Sequence, residues 1–166
     1  MAGAYLEEYA ALCMEALGVP LGQWGVNVRL RPQGSQLQAG VDYQELDLAV
    51  VWGNRMWVVE CKAGQQLHRS SGTGQEVLNR LEALKAHVGG SLGEAWLLVP
   101  LTLHPEWQRG VLERARQYGV KVVHGRQGMA GLPAMLAGAL GLKVVEGGLG
   151  VGLVDLSRAL DLAPRG

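Results

Sequence analysis

Two apolar runs, residues 45–52 and 55–62, stand on either side of the dipeptide Gly53-Asn54. Glycine and asparagine tolerate the positive φ that the tightest hairpin turns demand, so the dipeptide predicts a two-residue loop joining antiparallel strands. Counting outward from that loop pairs Trp52 with Arg55 and, further on, Asp47 with Glu60 and Glu45 with Lys62. Alternation then puts Glu45, Asp47, Glu60 and Lys62 on one face, with Leu46, Leu48, Trp57, Val59 and Cys61 on the other. Toward the turn the charged face continues as Ala49, Val51, Met56 and Val58. The quartet is therefore set into a sheet that is apolar on both sides, as a central sheet covered by helices is.

The rest of the chain supplies those helices. Leu6, Tyr9, Ala10, Cys13 and Leu17 recur at helical spacing over 2–17, and Gly18-Val19-Pro20 ends the run. Trp24, Val26, Val28 and Leu30 alternate as a strand with one apolar face, followed by a loop over 31–40. Thr73 with Glu76 reads as a capping box, predicting a helix over 74–88 whose buried stripe is Val77, Leu81, Leu84 and Val88. An apolar strand over 95–99, an amphipathic helix over 105–118 and a strand over 120–124 follow, then a short helix over 131–140. Strand, helix, strand, helix, strand is the pattern of right-handed crossovers and a partly parallel sheet. Residues 1–141 are read as one domain, and 142–166 as a tail that docks or builds a homodimer.

Composition narrows the function classes. The chain has 166 residues, 48% of them hydrophobic and 18% charged, with 15 Lys and Arg balancing 15 Asp and Glu. Zero formal charge argues against a polycation that holds nucleic acid through bulk electrostatics, so any nucleic-acid contact must be local. Cys13 and Cys61 make neither a disulfide framework nor a zinc-binding cluster. No stretch has the length of a membrane span and no basic segment opens the chain, so a cytoplasmic protein away from membranes is expected.

Three acids and one base in such a sheet need a reason. Opposed carboxylates at cross-strand distance repel, and taking each out of water costs several kcal/mol. A divalent cation reverses the sign: Mg²⁺ or Mn²⁺ takes carboxylate and carbonyl oxygens and keeps positions for water and phosphate. Lys62, two residues past Glu60, then stands where it can orient or help deprotonate an attacking water. A surface ion-pair lattice is the competing reading, and the apolar flanks on both faces argue against it.

Asp47 and Glu60-Cys61-Lys62 on a hairpin, after a helix carrying Tyr5-Leu6-Glu7-Glu8-Tyr9, resemble the PD-(D/E)xK nuclease superfamily. With HVGGSLGEAWLLV and RARQYGVKVV downstream, the likeness narrows to the nuclease half of CRISPR-associated CARF-domain effectors, which are activated by cyclic oligoadenylate. The resemblance implies a restriction-endonuclease-like α/β/α sandwich with a central mixed sheet and an antiparallel catalytic hairpin. It further implies a metal-dependent endonuclease cutting DNA or RNA, with Asp47, Glu60 and the Cys61 carbonyl as metal ligands, Lys62 serving the water, and Glu7 as a helix-borne acid. Glu7 shares its helix face with Ala10, Ala11 and Met14, so it is the better candidate than Glu8 to point inward.

Two departures are visible. Leu46 stands where the superfamily's name has proline, a position that varies within it. Those effectors also carry a sensor domain ahead of the nuclease, whereas this sequence opens directly on the first helix, so regulation is expected from a separate partner, a dimer or nothing at all.

His68 and Arg69, in the loop after Lys62, and Gln75, at the start of the next helix, are candidate substrate contacts, because ligands sit at the carboxyl ends of sheet strands. An ordinary polar loop and helix surface are the plainer readings for these three. The alternative function is a non-catalytic module that keeps the fold to bind nucleic acid or a protein.

Overall fold

The computed structural model describes residues 2–30, 44–63, 71–88, 90–103 and 105–142. Its elements run α1 (Ala2–Ala16), β1 (Trp24–Leu30), β2 (Gln44–Trp52), β3 (Arg55–Cys61), α2 (Ser71–Val88), β4 (Gly93–Val99), α3 (Pro105–Tyr118), β5 (Val120–His124) and α4 (Gly125–Leu140). The five strands lie in sequence order in one sheet. β1, β2 and β3 are antiparallel, while β3, β4 and β5 are parallel and connected through α2 and α3. The hairpin turn is as expected: Gly53 and Asn54 have φ of 56° and 62°, the left-handed pair that lets strands with native twist meet in two residues.

Each face of the sheet carries one pair of helices. Leu6, Tyr9, Cys13 and Met14 of α1 and Met129, Leu132 and Leu136 of α4 pack on Leu48, Val50, Trp57, Val59 and Cys61. Val77, Leu78, Leu81 and Leu84 of α2 and Val111 and Ala115 of α3 pack on Ala49, Val58, Ala95, Leu97 and Val99 on the opposite face. The result is an α/β/α sandwich, as expected.

Three expectations are corrected. First, α2 begins at Ser71, so Thr73 lies within its first turn instead of capping it. Second, α4 begins at Gly125, directly after β5, and not at 131, although glycine is a poor helix former. Proline has no N–H for the carbonyl four residues back, here that of Met129. The Tyr9 hydroxyl donates to that carbonyl at 2.7 Å, so α1 supplies the donor that Pro133 lacks.

The third correction lies beside the acidic pair. Leu48 packs with α1 and α4, but Leu46 packs with α2 and α3. The neighbouring strand changes face at the same level: Trp24 leans on the first cluster, Val28 and Leu30 on the second, and Val26 is exposed. Between them Asn27 has φ 51°, a left-handed residue inside a strand, and its flanking pairs Val26–Leu48 and Val28–Leu46 keep the register. One such residue breaks alternation without a slip, so the β1–β2 ribbon turns over at Asn27 and Asp47. Period-two reading cannot see that.

The predicted tail, residues 142–166, falls outside the described residues beyond Leu142. No described helix is long and apolar enough to cross a membrane.

Candidate active site

The ladder between β2 and β3 runs from Trp52–Arg55 to Leu48–Val59 and ends there. Beyond that rung β2 stays with β1, through Leu46–Val28 and Glu45–Arg29, while β3 stays with β4, through Glu60–Leu97 and Cys61–Leu98. The sheet therefore splits at Asp47 and Glu60. Had the hairpin pattern continued, the Cys61 N–H would have met the Leu46 carbonyl. It instead donates to Asp47 Oδ2 at 2.6 Å. The carboxylate thus satisfies a main-chain donor that the split exposes, and in return the donor fixes the carboxylate.

Glu60 is 2% exposed, the one buried polar or charged side chain among the described residues. Its Oε1 lies 2.6 Å from Lys62 Nζ and also accepts from the Arg80 guanidinium on α2. Its Oε2 is buried with no hydrogen-bond partner. A buried carboxylate oxygen without a protein partner costs free energy and is open to a water or a cation. Asp47 has its pKa raised to about 6, chiefly by burial and further by the charges of Glu60 and Glu7, against the Cys61 hydrogen bond and Lys62, which lower it. Glu7 of α1 is half-buried and acts electrostatically on both Asp47 and Cys61, whereas Glu8 is exposed. An open cavity lined by Ala4, Glu7, Glu8, Ala11, Val26 and Asn27 adjoins it. The Cys61 thiol is pushed well above its usual range, first by burial and then by Asp47, Glu7 and Glu60, so it is a packing group.

The donor set fits a hard divalent cation held by few protein ligands. Among the described residues no three His, Cys, Asp or Glu side chains form a ready cage. A two-carboxylate site completed by a carbonyl and water is nonetheless a common Mg²⁺ arrangement. The orphaned Glu60 Oε2, and the charges of Glu60 and Glu7 that add to burial in raising the pKa of Asp47, are what such an ion would relieve.

Glu45 is half-exposed at 48% and pairs with Arg29 at 3.3 Å, so it leaves the predicted quartet. Gln75 Nε2 donates to Asn79 Oδ1 at 2.8 Å and reaches Tyr118 Oη at 3.5 Å, and its Oε1 accepts from Arg114, so its amide ties α2 to α3. His68 and Arg69 lie outside the described residues. Arg80 was not foreseen. Its signal in the sequence is its place three residues after Val77 and four before Leu84, a charge at the rim of a buried stripe.

A mixed sheet between two helical layers, split at a hairpin that brings Asp47, Glu60 and Lys62 together, defines a restriction-endonuclease-like nuclease domain. Residues 1–136 match the Card1-like endonuclease domain, and the chain belongs to that family. In structure it is similar to Can2 from Sulfobacillus thermosulfidooxidans, solved in complex with cyclic tetra-adenylate: TM-score 0.62, 15% identity, 84% of this chain and 37% of that one. It is also similar to protein VC1899 from Vibrio cholerae: TM-score 0.58, 20% identity, 81% of this chain and 32% of that one. The chain thus spans about a third of each of those proteins' length. The search of curated proteins gave no match.

Proposed function

We propose that this endonuclease domain hydrolyses phosphodiester bonds of DNA or RNA with the help of Mg²⁺ or Mn²⁺, using Asp47, Glu60 and Lys62 as its working core and Glu7 as an accessory acid. The observation that carries the reading is the buried, unpaired Oε2 of Glu60 at the place where the sheet splits beside Asp47. Asp47 and Glu60 would hold the ion, with the Cys61 carbonyl as a further oxygen ligand. When bound, a divalent cation neutralises the two carboxylates and polarises a phosphoryl oxygen.

The chain's own residues do the rest. The Cys61 N–H fixes the orientation of Asp47, so one carboxylate oxygen is committed to the main chain and the group cannot swing. Lys62 directly follows β3, anchored by its N–H to the Leu98 carbonyl at 2.9 Å, and its side chain is 29% exposed. From there it can orient a water and steady the negative charge that develops on the phosphate. Glu7 adds negative charge from the α1 side, which favours a cation at the split and disfavours an unneutralised phosphate. His68 and Arg69 are proposed contacts to the nucleic acid.

The test is cleavage of single- and double-stranded DNA and RNA in Mg²⁺, Mn²⁺ or EDTA by the protein and its Glu60→Gln and Lys62→Ala variants. Metal-dependent cutting lost in both variants supports the reading. Cutting that persists in EDTA or in both variants overturns it.

A further inference from the structure

The buried carboxylate of Glu60 carries two cations on a single oxygen. Lys62 Nζ and the Arg80 guanidinium both contact Oε1, and neither hydrogen-bonds to Oε2. The two are not equivalent. Lys62 follows the strand that carries Glu60, two residues on, and its proposed work on a water requires the ammonium to leave Oε1 for part of the cycle. Arg80 reaches across from α2, whose Leu78, Leu81 and Leu84 are 0–1% exposed and so fix where the helix lies. A guanidinium stays charged at any working pH, so Arg80 keeps a positive charge on Oε1 whatever the ammonium does. A carboxylate this deeply buried also cannot be left without a compensating charge whenever one partner moves away.

We propose that Arg80 is a positioning residue: it holds Glu60 through Oε1, presents Oε2 to the divalent cation, and keeps the buried carboxylate compensated while Lys62 turns to the water. The inference rests on the metal-dependent reading above and adds to it a residue that touches neither ion nor phosphate. The rival role for Arg80, whose side chain is 46% exposed, is a direct grip on a phosphate. The two roles separate experimentally. A positioning residue governs metal affinity, and a phosphate contact governs nucleic-acid affinity.

The experiment compares the full chain with Arg80→Ala, Arg80→Lys and Arg80→Gln. Mn²⁺ affinity is measured by calorimetric titration, melting temperature in EDTA, and affinity for a fluorescent oligonucleotide in EDTA. Loss of the arginine is expected to weaken Mn²⁺ binding roughly 10- to 100-fold, the range for residues that orient metal ligands. The lysine variant should recover most of that loss, and oligonucleotide affinity in EDTA should change less than about twofold. Should Arg80→Ala fail to melt cooperatively, Arg80→Gln, which keeps a donor without the charge, carries the same expectation. Unchanged Mn²⁺ affinity in the neutral variants overturns the proposal, as does weakened oligonucleotide binding with Mn²⁺ affinity intact. Failure of the unaltered protein to take up Mn²⁺ would sink the metal reading itself, which distinguishes the two failures.

Discussion

Asp47 Oδ2 accepts the backbone N–H of Cys61 at 2.6 Å, at the point where β2 and β3 part company. Burial of that side chain, together with the charges of Glu60 and Glu7 beside it, raises its pKa to about 6 even though the Cys61 bond pulls the other way. The sign of the resulting pH effect follows from linkage. The folded chain binds the Asp47 proton more tightly than the unfolded chain, whose carboxylate titrates near its ordinary value. In EDTA, stability should therefore be highest below about pH 4 as far as this group is concerned, and this contribution should be lost as pH rises toward about 6. Asp47→Asn should flatten that part of the profile, as melting temperatures from pH 4 to 7 would reveal. Metal affinity should run the other way, because ion binding needs the ionised carboxylate, and should climb through the same window.

Binding of an ion to the folded state alone stabilises it by mass action, by about 2.7 kcal/mol at a hundredfold excess over the dissociation constant. Added Mn²⁺ should raise the melting temperature of the protein, and EDTA should restore the original value. In Glu60→Gln the shift should vanish. No shift in the unaltered protein would favour the non-catalytic module.

Lys62→Ala should fold and bind metal, because Arg80 still accompanies Glu60, yet its cleavage rate should fall by about 10²–10⁴, the usual contribution of a positioned acid–base group. Single-turnover rates under saturating Mn²⁺ would measure it. A change confined to substrate affinity would place Lys62 on the phosphate instead of the water.

The Tyr9 hydroxyl answers the Met129 carbonyl that Pro133 cannot. Tyr9→Phe should cost about 1–3 kcal/mol, the penalty of a buried acceptor left unpaired. Pro133→Ala restores a helical donor, so the same change in that background should cost clearly less. Urea unfolding of the four proteins in the cycle yields the coupling energy.

Asn27, at φ 51° inside β1, should tolerate Gly and resist β-branched residues. Asn27→Val should destabilise by about 1–3 kcal/mol and weaken metal binding, because the ribbon turns over at Asp47. Asn27→Gly should leave both nearly unchanged, as urea midpoints and Mn²⁺ titration would show.

Much of this was legible in the chain itself. The turn dipeptide, the helical spacing of α1 and α2 and the apolar runs of β3 and β4 are local, and each local pattern implies a segment with a buried face. The first residues of α4 escaped because glycines depress intrinsic propensity, and the donor for the carbonyl that Pro133 leaves open comes from Tyr9, more than a hundred residues away. The face change at Asn27 escaped because a single left-handed residue carries no periodic signature. Glu45 was grouped with the acids by alternation, and the end of the β2–β3 ladder sends it to Arg29 at the surface.

Order and type of residue along the chain determined that a hairpin would carry two carboxylates and a lysine between layers of helices. Tertiary packing alone decided that the strands separate at those residues, that one oxygen of Glu60 is left unpaired, and that Arg80 holds the other. The reason is physical. Periodicity and turn chemistry act over a few neighbouring residues, whereas the partners of a buried charge are chosen by whichever elements the packed layers bring within reach.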